Sequence, residues 1–147
     1  MAKEGSFSSR TDWIVKHNIL PMGRGLAQVN YEGWGVCQSD TGEGLLHNAS
    51  AHVVGGLLVV KGVYKNDSGL ISYTRPDGDQ IFMTYICSAV VGKNAKGTFT
   101  YVGGTGKFVG IQGSCEFTRH MLQNPTKEFG ASFASGKGHW KIVAPQK

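Results

Sequence analysis

Glu32 and Trp34 stand two residues apart in "QVNYEGW", residues 28–34. On an extended strand alternate side chains share a face. Gln28, Asn30, Glu32 and Trp34 therefore lie together, and Val29, Tyr31, Gly33 and Cys37 take the other side. A carboxylate beside an indole is a candidate general acid or base. The ring excludes water, and burial raises a carboxyl pKa towards a range useful for proton transfer. The alternative is a surface glutamate beside a rim tryptophan. The first reading makes Glu32 the proton donor or acceptor, with Trp34 and Tyr85 as an apolar wall. It requires residue 32 to point inward, and a bulge at Gly33 or Gly35 would upset it.

A second set follows the same alternation. Ser114, Glu116, Thr118 and His120 share a face, and Cys115, Phe117 and Arg119 share the opposite one. Glu116 and His120 are roughly 13 Å apart along a strand, too far for a direct dyad. His120 at a strand end can line a mouth, or it can face solvent. Tyr73 and Arg75 precede Pro76-Asp77-Gly78-Asp79, and Tyr85 comes later, on the return strand. Arg75 is placed to hold a carboxylate or phenolate, or to pair with Asp77 or Asp79 at the surface. Trp13, Trp34 and Trp140 fall in three separate segments and either line one pocket or form core. The candidate catalytic residues are thus Glu32, His120 and Arg75. The candidate substrate contacts are Trp34, Tyr85, Tyr73, Glu116 and Trp140.

Other chemistry is disfavoured. His17, His47, His52, His120 and His139 show no H-x-H or H-E-x-x-H spacing, so no metal is expected. No G-x-S-x-G elbow occurs. Cys37, Cys87 and Cys115 form no C-x-x-C pair and read as reduced thiols. The stretch "YVGGTGKFVGIQG", residues 101–113, resembles a phosphate loop at first sight. That loop needs glycine where Tyr101 stands and a hydroxyl where Phe108 stands. Residues 108–113 read as extended, so no helix N-terminus faces an anion. No nucleotide and no other cofactor is expected.

These residues must be held by strands. The chain has 147 residues and 22 glycines, about twice the usual share of roughly 7%. Glycine among β-branched and aromatic residues points to short strands, tight turns and bulges. Residues 1–10 read as a flexible polar tail, and residues 11–147 as one domain. Strands are expected near 13–20, 26–39, 47–64 with a bend at Gly55-Gly56, 70–75, 80–90, 98–102, 111–120 and 137–143. Turns are expected at 39–44, 65–69 ("KNDSG"), 76–79 and 92–97. Residues 122–130 read as a loop, with room for one helical turn. About eight evenly spaced strands without helical periodicity predict an all-β fold, a single eight-stranded antiparallel barrel. Closure removes edge strands and leaves an interior filled by side chains or holding one small ligand.

Charge and hydropathy narrow the partners. The net charge is +5, but the basic residues are scattered, so no nucleic acid is expected. No apolar run is long enough to span a membrane, and no membrane partner is expected. No secretory h-region opens the chain. A cytoplasmic location is the simplest reading. "VVGGLLVV", residues 53–60, offers apolar side chains to both faces, which predicts a homo-oligomer, trimer or dimer.

Val102, Gly103, Gly104, Thr105, Gly106, Phe108, Gly110 and Gly113 carry a resemblance. The segment is similar to the V-G-G-T-G-x-F segment of plant dirigent proteins and the T-G-G-[ST]-G-x-F-x-G segment of allene oxide cyclases. A weaker likeness is "GRGLAQVNYEG", residues 23–33, to a dirigent G-R-x-Q-G strand. The chain resembles a bacterial-type member of that barrel superfamily. The resemblance implies an eight-stranded calycin-type barrel, often trimeric, whose apolar interior controls the geometry of a reactive small molecule. It raises two expectations of function. One is a cofactor-free isomerase, cyclase or lyase acting on a small hydrophobic compound, aromatic ones included. The other is a non-catalytic dirigent- or lipocalin-like binding protein for such a molecule. An RNA-binding barrel is disfavoured, because aromatics are not interleaved with Lys or Arg on one strand.

Overall fold

The computed structural model describes residues 3–144. Eight strands run in order: β1 (Glu4–Pro21), β2 (Leu26–Ser39), β3 (Ser50–Val60), β4 (Val63–Thr74), β5 (Gln80–Val90), β6 (Ala95–Gly104), β7 (Ile111–Met121) and β8 (Phe129–Ile142). Each pairs antiparallel with its chain neighbours, and β1 pairs with β8 to close the barrel. The expected fold class is the one observed. Strands β2 and β5 coincide with the expected segments.

Alternation sorts the side chains. In β5, Ile81, Met83, Tyr85 and Cys87 are buried while Ser88 and Ile86 are exposed. In β6, Phe99 and Tyr101 are buried and Thr100 and Val102 exposed. The buried set from all eight strands meets on the barrel axis. Several interior positions are glycine because large rings cross the barrel there. A Cβ at Gly55 would overlap the Tyr85 and Tyr31 hydroxyls, and one at Gly97 would sit 2.6 Å from Phe117.

Four expectations are corrected. Residues 4–10 are not a tail: they extend β1 and pair with β8, from Glu4 opposite Lys141 onward. Their polar side chains misled, since one face of this strand is solvated. Residues 1–2 of the expected tail lie outside the described residues. The single segment 47–64 is two strands, with the turn at Lys61-Gly62, both at positive φ. "KNDSG" is no turn but a bulge inside β4, where the register against β5 shifts between Tyr64 and Asp67. Asn66 takes the left-handed conformation there (φ 59°), and Asn tolerates it as well in a bulge as in a turn. The last strand starts at Phe129 rather than Lys137, and residues 122–128 form no helical turn.

The two barrel ends differ. At one end the connections 40–49, 75–79 and 105–110 fold inward. Leu45, Leu46 and Phe108 are each at most 5% exposed. Phe108 sits on a 3-10 turn (Gly106–Phe108) and meets Trp140 edge-on at 6.5 Å. The "YVGGTGKFVGIQG" stretch is therefore a strand, a one-turn plug and a strand. At the other end no connection covers the axis. Interior positions along β1 there grow steadily more exposed, from buried Trp13 through half-buried Val15 to His17 and Ile19, each partly open to solvent.

Candidate functional site

The barrel interior near the mouth holds one polar cluster. Asp67, placed inward by the β4 bulge, is 1% exposed. The Tyr31 hydroxyl donates to its Oδ1, and Arg119 Nη1 donates to its Oδ2 at 2.8 Å. The Cys87 thiol lies 3.7 Å from the same Oδ2. Tyr31 spends its proton on Asp67, so the Tyr85 hydroxyl donates to Tyr31. Arg119 Nη2 donates to the Tyr64 hydroxyl. A carboxylate in this position is stable only because a guanidinium and two further donors surround it.

The surroundings push the other groups away from ionisation. Burial, then the Asp67 charge, raises the Tyr31 phenol far above its ordinary range. Burial likewise raises Tyr85. Burial pushes the Cys87 thiol up to about 11, with Arg119 opposing and Asp67 reinforcing. His17, edge-on to Tyr31 at 6.3 Å, is lowered by burial despite the nearby Asp67 charge.

Beside the cluster lies a cavity of about 50 Å³, lined by Trp13, Val53, Tyr85, Phe99, Phe117 and Arg119 among others. That is about two waters' share of liquid volume, well below the range of roughly 300–1,000 Å³ for drug-sized ligands. Arg119 also lines it, and its Nε is buried without a hydrogen-bond partner.

The sequence-predicted residues are divided by this geometry. Tyr85 belongs to the cluster. Tyr73 is interior but nearer the plugged end, where its hydroxyl lies 3.0 Å from Thr11 Oγ1. Trp140 packs against the Phe108 plug. Arg75 is also part of the plug: its guanidinium stands 4.7 Å above the Phe108 ring, donates to the Leu45 carbonyl and pairs with Asp77 at 3.2 Å.

Glu32 and Trp34 lie outside. The Glu32 side chain is 51% exposed and pairs with His52 at 3.1 Å, and Trp34 stacks on the His52 ring at 5.8 Å. Glu116 is exposed on the outer face of β7, and His120 stacks there on Phe133 at 4.5 Å. Which residues share a face was read correctly for both strands. The inward face is the other one, carrying Tyr31 on β2 and Arg119 on β7. The inward placement that the Glu32 role required is thus overturned.

Asp67, Arg119, Tyr31, Tyr64 and Cys87 were not chosen from the sequence, whereas Trp13, read there as pocket or core, lines the cavity. Asp67 was hidden by its turn-like neighbours. Arg119 had a legible signal, since it alternates with Cys115 and Phe117, an apolar set suited to a core. Among the described residues, no group of three or more His, Cys, Asp or Glu is placed to hold a metal ion. Among the described residues no helix is long and apolar enough to cross a membrane.

No protein-family model matches this chain, and no curated protein matches it. Among solved structures, the chain is similar to the pterocarpan synthase dirigent protein GePTS1. The identity is 10%, the match covers 100% of this chain and 91% of that one, and the TM-score is 0.29. A likeness at that score carries no argument, and the barrel assignment rests on the closed strand order of the chain itself.

Proposed function

We propose that this chain is a binding barrel for a small hydrophobic molecule that carries one hydrogen-bond acceptor. The acceptor sits on Arg119 Nε, and the apolar part lies against Trp13, Phe99 and Phe117. One observation carries the reading: Arg119 lines a largely apolar cavity, and its buried Nε has no hydrogen-bond partner. An unsatisfied donor of this kind costs stability, and an acceptor offsets that cost. The cavity admits only the head of such a molecule. The half-buried interior positions Val15, Leu57 and Val59, nearer the mouth, take the body.

Calorimetric titration with small cyclic ketones and phenols tests this. Arg119→Lys keeps a cation beside Asp67 but removes Nε. Wild-type protein binds, and the variant binds at least about tenfold more weakly, the usual scale for a charged hydrogen bond. Equal affinity in the variant, with the fold intact, rejects the reading.

A second reading, an isomerase or lyase acting on such a compound, draws on the Tyr85–Tyr31–Asp67 chain. It links the cavity wall to a buried carboxylate. It stands second because Asp67 is 1% exposed and already hydrogen-bonded by Tyr31 and Arg119, so a substrate reaches it only through the tyrosines. Conversion of a bound compound by wild type, lost in Tyr85→Phe, would place it first.

The expected homo-oligomer has support on the outer sheet. Ile14 pairs with Trp34, and Val54 with Leu70. All four are 43–58% exposed. Sedimentation showing only monomer at micromolar concentration rejects that assembly. A cytoplasmic location and the absence of a nucleic-acid partner belong to the same proposal. They are supported by reduced, unpaired Cys37, Cys87 and Cys115 and by scattered charge.

A further inference from the structure

The mouth has a composition that the binding reading does not use. In an antiparallel barrel alternate connections emerge at the same end, so residues 22–25, 61–62, 91–94 and 122–128 all surround the mouth. At or beside each tip an aliphatic side chain faces solvent: Leu20 at 61% exposure, Val60 at 47%, Val91 at 53% and Leu122 at 47%. Each tip also presents an exposed cation: Arg24, Lys61, Lys93 and Lys127. Among the described residues none of these four pairs with a carboxylate. Glu128 is the one acidic residue in the tips. The plugged end has the opposite balance. Its connections carry Asp40, Glu43, Asp77 and Asp79 against Arg75 and Lys107, and both of those cations are paired.

We propose that this rim docks on an anionic lipid bilayer. The aliphatic side chains enter the boundary between headgroups and acyl chains, and the four cations meet lipid phosphates. Neither feature alone holds a protein on a membrane, and the two together meet the usual requirement for paired signals. The apolar residues are spread over four separate tips around a ring. That arrangement meets a plane at several points, as a bilayer requires. Aromatic side chains for stacking nucleic acid bases are missing from the tips, which disfavours a polynucleotide. The plugged end, with both of its connection cations paired, faces away from the membrane. The expectation of no membrane partner is revised only to this extent: the chain lies on the surface and does not span. The inference is independent of what the interior binds.

Vesicle flotation with the full chain tests the proposal. Vesicles of phosphatidylcholine and phosphatidylglycerol in equal parts carry the protein up. Phosphatidylcholine alone, or the mixed vesicles in about 0.5 M salt, bind at least about tenfold less, because screening removes the charge contribution. Leu20→Asp with Val91→Asp lowers binding at least about tenfold, and Lys61→Glu with Lys93→Glu does the same. Lys137→Glu, an exposed change on β8, leaves it unaltered. Circular dichroism confirms that each variant is folded. No flotation of wild type on anionic vesicles overturns the proposal, and so does flotation that survives both double variants. A wild-type dimer that the Leu20→Asp, Val91→Asp variant dissociates, without vesicle binding, places a second copy on the rim and also overturns it.

Discussion

At the plugged end Phe108 is 2% exposed beneath the Arg75 guanidinium, whereas at the mouth Leu20 is 61% exposed with no cover. The same eight strands run into both ends, so the difference comes from the connections. At one end Leu45, Leu46 and Phe108 from the connections are buried, whereas at the other every residue of the connections faces solvent. The polar groups obey the same division. Near the plug, Tyr73 needs one partner, Thr11. Near the mouth a carboxylate, a guanidinium and three phenols form a network.

Removing Asp67 tests the mouth most severely. Asp67→Ala leaves Arg119 and Tyr31 buried without their acceptor, and is expected to cost about 3–5 kcal/mol. Chemical denaturation measures it. A loss below about 1 kcal/mol would show that the network contributes little to the fold.

Phe108→Ala is the matching test at the plug. It opens a cavity between Arg75 and Trp140 and is expected to cost about 3 kcal/mol. Ligand binding at the mouth should persist. If it vanished while the protein stayed folded, the two ends would not be separable.

A smaller effect depends on pH. The His17 pKa is lowered in the folded chain, chiefly by burial. The unfolded chain then binds the proton more tightly, so stability falls as pH drops below about 6.5. His17→Asn removes that part of the slope. Melting temperatures of both proteins between pH 7.5 and 5 check it, and parallel curves would count against partial burial of the ring.

The smallest expected effect lies at the surface of the plug. Lys107, then Arg75, holds the Asp77 carboxyl well below the usual range. The depressed pKa contributes stability above the unfolded value, lost as pH falls through the folded one. Lys107→Ala brings the Asp77 titration back up, visible by NMR, while the melting temperature at pH 7 hardly moves. A large drop would mean that the ion pairs, not Phe108, hold the plug.

The barrel class was legible because its determinants are local. Turn residues recur at regular spacing, period-2 alternation runs between them, and nothing repeats at helical period. "TYICSAV" and "TFTYV" alternate clearly, and both segments are strands as read. The sequence was weaker where one residue type serves two purposes. Asn66-Asp67 suits a turn or a bulge, and only the register between β4 and β5 decides between them. That choice set the direction of every β4 side chain from Asp67 to Tyr73.

The sequence by itself determined which residues share a face, through the fixed alternation of the strand. Tyr31 opposes Glu32, and Arg119 opposes His120, wherever the strand lies. It also determined the charge of each connection. Which face became interior was decided by closure of β1 onto β8, because inside and outside exist only once the sheet is shut. Closure favoured the face whose glycines leave space for the opposing rings, as Gly55 and Gly69 do for Tyr85. It sent Glu32 to solvent, brought Asp67, Tyr31, Tyr85 and Arg119 together from four separate strands, and collected four cationic tips around one mouth.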